Sequence, residues 1–488
     1  MIESNVIEYP DPNQSLLIER LDEAIKQLEQ APSFSKPTKA GRLFDTVKRV
    51  LHANGGFKII SQHIERIEKA GAFDNSDYAK PQILIPALSA PALLSNDVYT
   101  VIIETLSELR FLAVTKQEYV HPEISSEQAH HFLTQVLAVN LKRLFSAADE
   151  AERELQGRLA EISRGLLHHL AESIGYEHVI DQLIDEIWRI LQQRPIQVDH
   201  VKQMVTQIAI CRQNPDIDMG NSGQGADRLI SSLFGPTQAC REDPGVEIYK
   251  QRLQSMDNAA LQYEASGFAR AMHDTGLVSP YHSVLLRHLS EETDYLLSEA
   301  LGLSSTGRDC LLSFSDLVRA LIAKAIHPET AQAVYGLSLM LERGILYQPA
   351  MAPSLWRQLS LPLSPAAEER LNSLFGDSPG ASSRLLEGVL CVLGQPLGIG
   401  QGNNPTCQSA RAMSMWAYND PDYLLQMVVW AARDDEIIMH FEGKAISSQD
   451  SLSGLASHLP MDLDPVSLIL VPHLDRIYAE MGRCCIDR

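Results

Sequence analysis

The chain has 488 residues, 45% hydrophobic and 21% charged, the balance of an ordinary globular protein rather than a disordered, collagen-like or membrane-spanning one. Lys and Arg number 41 against 62 Asp and Glu, so a formal net charge of −21 repels phosphate backbones and anionic lipid surfaces, and neither nucleic acid nor membrane is expected as a partner. A chain of this length hides roughly three quarters of its unfolded surface, more than one core organises, and two or three domains are expected.

Met1-Ile2-Glu3-Ser4-Asn5 has no basic stretch leading into an apolar core, and no segment reaches about 18 uninterrupted apolar residues, so neither a signal peptide nor a membrane span is predicted. From Leu16 to Ile25 the apolar positions follow the 3.6-residue helical period. Further helices are predicted at 97–113, 125–147, 149–173, 179–193, 196–212, 257–274, 281–301, 313–326 and 329–343. No fixed repeat of 30 to 50 residues recurs.

Residues 213–245 carry Gly220, Gly223, Gly225, Gly235 and Gly245 with little periodicity and are predicted to be a linker or long loop between helical domains at 1–212 and 246–378. After residue 378 the pattern changes. Residues 436–446 read as a β-hairpin turning at Glu442-Gly443, and Ser467–Val471 as a further strand. The expected fold is mainly α, a multi-helical body with a small C-terminal α+β unit over 379–488.

Seven cysteines, at 211, 240, 310, 391, 407, 484 and 485, form no CxxC pair and no framework of even spacing, the usage of a reducing compartment. A cytoplasmic location is expected, and export without a cleaved signal would look the same. The most informative stretch runs from Gln401 to Trp416. Asn404 can cap a helix that begins at Pro405, placing Cys407 in the first turn. There the helix dipole favours the nucleophilic thiolate, and Gln401 can offer a side-chain N–H to an oxyanion. Cysteine in that setting also serves as a plain buried hydrophobe.

Over residues 401–416 the sequence resembles the papain-like cysteine hydrolases and, more loosely, transglutaminase-like enzymes, in which a catalytic Cys opens a helix. The resemblance implies an oxyanion-hole glutamine six residues before the Cys, the position of Gln401 relative to Cys407. Pro405-Thr406 and Gln408 depart from the papain-like pattern, which has small residues before the Cys and an aromatic after it.

A thiolate mechanism needs a base, normally a histidine oriented by a carboxylate or amide. The transglutaminase-like order of Cys, His and Asp is reproduced by Cys407, His440 and Asp450. His473, with Asp464 or Asp475 as orienter, is the second option and His458 the third. The expected activity is acyl hydrolysis or transfer on an amide or isopeptide bond of a protein or peptide, without a cofactor or metal. The alternative is a noncatalytic helical scaffold that binds a protein partner, its oligomeric state open.

Other signals carry less. Gly376-Asp377-Ser378-Pro379-Gly380 matches GxSxG, but Pro379 lacks the N–H the oxyanion would need, so a turn is predicted. Glu127-Gln128-Ala129-His130 is a single ExxH where a di-iron bundle needs two. Residues 220–225 are glycine-rich without the strand or lysine of a phosphate loop. The apolar segment after Asp420-Pro421-Asp422 is predicted to be a buried helix beneath that of Cys407.

Overall fold

The computed structural model describes residues 12–140, 143–144, 157–213, 222–292, 294–402, 404–452, 454–456 and 463–486. It is 74% helical and, among the described residues, has one two-stranded antiparallel sheet, so the mainly α fold with a small C-terminal α+β portion is observed. Among the described residues no helix is long and apolar enough to cross a membrane. The chain divides into two compact units, residues 1–185 with 207–223, and residues 186–206 with 224–488.

The first unit begins with α1 (Pro12–Glu29), α2 (Lys36–Leu51) and α3 (Gly56–Lys69), which pack on one another through their apolar stripes. Gly56 is required, because a Cβ there would lie 2.0 Å from the Val50 carbonyl oxygen. The unit is organised around α4 (Val98–Thr115), buried from Val101 to Val114 and capped by Asp97, whose carboxylate accepts from the Thr100 N–H at 2.8 Å. Against it pack α5 (Ser126–Val139), started by a Ser125/Gln128 capping box, and α6 (Arg158–Ile174). The chain then runs through α7 (Tyr176–Gln192) and α8 (Asp199–Gln213).

Within the segment predicted as a linker, α9 (Ser222–Phe234) is helical. Ala226, Leu229 and Leu233 recur at helical spacing and are buried, and that stripe outweighs the glycines at its start. The second unit continues with α10 (Val246–Gln254), α11 (Asn258–Thr275), α12 (Pro280–Glu292), α13 (Ser305–Ser313), α14 (Ser315–Ala325), α15 (Ala333–Glu342), α16 (Met351–Leu359), α17 (Pro365–Phe375) and α18 (Ala381–Gly394). The predicted helix at 281–301 is thus broken after α12. Gly376–Gly380 forms the bend between α17 and α18, with Ser378 Oγ donating to the Glu329 carboxylate at 3.0 Å.

The C-terminal portion comprises α19 (Cys407–Asn419), α20 (Pro421–Val429), the hairpin β1 (Ile438–Phe441) and β2 (Lys444–Ser447), and α21 (Pro465–Ile486). The hairpin turns at Glu442-Gly443, both at positive φ (51° and 82°), as its turn chemistry demands. Ser467–Val471, predicted as a strand, lies inside α21. The correction has a local cause: Asp464 caps that helix, its Oδ1 accepting from the N–H groups of Val466 and Ser467 at 3.0 Å each, and burial on all sides explains the unbroken apolar run.

Candidate functional site

The loop carrying Cys407 is fixed from behind. Gln395 at the end of α18 donates its side-chain N–H to the Arg194 carbonyl at 3.0 Å, and Ile196 N–H donates to the Gly398 carbonyl at 3.1 Å. A Cβ on Gly398 would stand 2.1 Å from the Arg194 oxygen, so only glycine allows this approach. Arg343 donates to the carbonyls of Leu393 and Ala417, tying the end of α18 to that of α19.

Within the loop, Gln401 and Asn404 lock each other. Gln401 Nε2 donates to the Asn404 carbonyl at 3.1 Å, and Asn404 Nδ2 donates to the Gln401 carbonyl at 3.2 Å. The amide N–H expected to hold an oxyanion is therefore engaged in shaping the loop. Asn404 does not cap the helix as predicted; Thr406 is the N-cap, without a side-chain cap bond, and Cys407 is the first helical residue. Asn404 and Thr406 are each 2% exposed, and among the described residues Asn404 Oδ1 and Thr406 Oγ1 have no hydrogen-bond partner. These two buried polar atoms flank the approach to Cys407 in sequence; Asn404 was expected there only as a helix cap, and Thr406 was given no role. Cys407 itself is exposed, whereas Ser409, Ala410 and Met413 anchor its helix in the core. Beneath it, α20 buries Leu424, Leu425, Met427, Val428 and Val429, as predicted, and Tyr423 meets Trp416 edge-on with ring centroids 5.3 Å apart.

His440 lies on the exposed face of β1, paired with Ala445, and Asp450 is exposed in the turn after β2. The helix α19 and the hairpin each pack on α21. Among the described residues no hydrogen bond or ion pair joins Cys407, His440 and Asp450. His458 lies outside the described residues.

His473 is buried in α21 and belongs to a different constellation. Ile437 N–H donates to Ser448 Oγ at 2.9 Å, and the same hydroxyl shares a hydrogen bond with His473 Nδ1, also at 2.9 Å. His473 Nε2 faces Asp435 Oδ1 at 3.6 Å. Arg370 on α17 approaches the same carboxylate at 3.9 Å. Neither sequence-proposed orienter serves this histidine: Asp464 caps α21, and Asp475 accepts from Ala456 N–H at 2.8 Å. Asp435 and Ser448 escaped notice because they flank the hairpin, 38 and 25 residues from His473. The group pins α17, both ends of the hairpin and α21 together.

Burial, joined by the charges of Arg370 and Arg476, pushes His473 down to about 4 despite the nearby Asp435. The unfolded chain takes up that proton near the ordinary value of 6.5. The stability His473 confers is therefore complete above that pH and is lost as pH falls toward 4, about 3 kcal/mol in all. His282, buried and likewise pushed down to about 4, acts in the same sense, while Glu387, pushed up to about 7 by burial, acts in the opposite one. The difference between wild type and His473→Gln isolates the first contribution. Urea unfolding at pH 7 and pH 5 is expected to show wild type losing more stability on acidification than the variant; equal losses would refute this assignment.

No family model, curated protein or solved structure matches this chain.

Proposed function

We propose that the chain is a thiol-dependent acyl hydrolase or transferase acting on amide or isopeptide bonds of a peptide or protein, with Cys407 as nucleophile. One observation carries this reading: Cys407 is the exposed first residue of a 13-residue helix, presented by a loop in which Gln401 and Asn404 hydrogen-bond each other's carbonyls. The contrasting thiols of Cys211, Cys240, Cys310 and Cys391 are buried, and burial pushes Cys211 up to about 12 and Cys310 up to about 11.

In this reading the Cys407 thiolate attacks the carbonyl carbon, forming the C–S bond. The oxyanion is held by the first-turn N–H groups of α19, which have no partner within the helix, rather than by Gln401. His440 takes the thiol proton and returns it to the leaving amine as the C–N bond breaks, with Asp450 orienting the imidazole. Water or a second amine then cleaves the thioester and restores the thiol. The hairpin must bring His440 to Cys407 in the reacting complex. The separation of these residues onto different elements favours the second reading, a noncatalytic helical scaffold for a protein partner.

Alkylation of each cysteine by iodoacetamide, mapped by mass spectrometry against pH, separates the two. The enzyme reading expects Cys407 to react fastest at pH 6 and His440→Ala to remove that advantage, with Cys407→Ala lowering turnover about a thousandfold or more in a folded variant. A Cys407 no faster than Cys484 and Cys485 sinks the enzyme reading and leaves the scaffold.

A further inference from the structure

Remote from the Cys407 loop in sequence, α9 and α11 border a cleft of about 450 Å³, within the size range of small-molecule sites. Pro236 lines it as well. A Cβ on Gly267 would meet Thr237 at 2.8 Å, so this glycine lets the segment after α9 lie directly on α11. Tyr263, Ser266, Arg270 and Asp274 line the cleft from one face of α11, and Arg228 from α9.

The charges here run against those of the whole molecule, whose net charge of −21 repels anions. Two guanidiniums meet one carboxylate. Arg270 is exposed and has no hydrogen-bond or ion-pair partner among the described residues. Arg228 reaches Asp274 only at 3.9 Å, and its guanidinium carbon lies 5.9 Å from the centre of the Trp188 ring. The hydroxyl protons around them are committed: Ser231 donates to the Gly235 carbonyl at 3.2 Å, Ser266 to the Gln262 carbonyl at 2.9 Å or to the Glu299 carboxylate behind it, and Thr275 to the Ala271 carbonyl at 2.8 Å while its oxygen accepts from Leu277 N–H at 3.1 Å. Their oxygens remain acceptors. The cleft thus combines forked cationic donors, a set of hydroxyl and carboxylate acceptors, and the flat ring of Tyr263, a residue 66% exposed.

We infer that this cleft binds a phosphate monoester of a hydroxylated small molecule. Arg228 and Arg270 grip the phosphate as a bidentate pair. Asp274 and the hydroxyl oxygens accept from the ligand's OH groups, and Tyr263 covers a flat face of the ligand.

Isothermal titration of the full chain with ribose 5-phosphate, AMP, inorganic phosphate and ribose, at matched ionic strength, tests this. Binding of either ester is expected, weaker by about tenfold in Arg270→Gln and in Arg228→Gln, with ribose failing to bind. Tighter binding of AMP than of ribose 5-phosphate assigns a nucleotide, with Tyr263 stacking on the base; equal affinity assigns a sugar phosphate. Circular dichroism checks that the variants are folded. No binding of either ester at 5 mM, inorganic phosphate binding as tightly as the esters, or ester binding unchanged in folded Arg270→Gln overturns the inference.

Discussion

Replacing Arg110 by alanine is expected to destabilise the first unit by about 3–5 kcal/mol. The side chain is fully buried in the middle of α4 and spends its donors on three partners: Glu68 Oε1 at 2.7 Å, the Tyr78 carbonyl at 3.1 Å and Ser107 Oγ at 3.2 Å. Its guanidinium carbon also stands 4.2 Å from the centre of the Phe73 ring. The surroundings are acidic. Tyr78 donates to Glu104 at 2.5 Å, and burial together with Glu104 pushes Glu108 well above the usual carboxylate range. Removing the one cation leaves the Glu68 carboxylate with His121 at 3.4 Å and opens a cavity the size of a long side chain. Hydrogen exchange across residues 56–121, combined with urea unfolding, measures the loss. The double variant Arg110→Met/Glu68→Leu is expected to recover most of it, since replacing both partners removes the uncompensated charge. A loss below about 1 kcal/mol in Arg110→Ala would show that the ion pair is solvated and the network dispensable.

The second unit is expected to be as sensitive at Gly336, where α15 crosses α18. A Cβ there would lie 2.7 Å from Cys391 N and 2.8 Å from both Cys391 Cα and the Leu390 carbonyl carbon. All three are backbone atoms and cannot rotate away. From the other side, a Cβ on Gly394 would stand 2.3 Å from the Gly336 oxygen, so the helices meet glycine to glycine. Gly336→Val must push the helices apart and undo the packing of Leu337, Met340, Leu390 and Leu393, at a cost of about 3 kcal/mol or more. Gly41 in α2 is the control, with nothing within 4 Å of its Cβ position. Gly41→Ala is expected to stabilise by about 0.5–1 kcal/mol, because alanine loses less conformational freedom in a helix. Paired thermal melts of the two variants give shifts of opposite sign if close approach decides; equal shifts would refute that reason.

Much of the architecture was legible because helix and turn signals act over a few residues. The apolar period along residues 257–274 returns as α11, and the Glu442-Gly443 turn returns with both residues at positive φ. The reading failed where two forces compete over the same short stretch. Ser467–Val471 is apolar at every position but the first, a pattern that a buried strand and a buried helix share, and the Asp464 cap decided for the helix. Glycine at 223 and 225 pointed to a linker, yet the stripe of Ala226, Leu229 and Leu233 had a core to face. At the Cys407 loop the helix start was read correctly to within two residues. The use of Gln401 as a loop brace was not visible, because an amide side chain binds its own backbone and a substrate oxyanion equally well.

The sequence by itself determined the helical class, the hairpin and the helix that begins beside Cys407, since each follows from spacing, caps and turn residues within one or two turns of chain. Only the tertiary structure decided which buried polar groups meet. Arg110 and Glu68 lie 42 residues apart, Ser448 and His473 25, and Asp435 and His473 38. No local pattern links such partners. They are chosen when apolar faces pack and leave each buried donor or acceptor to find a partner among whatever side chains the packing brings near.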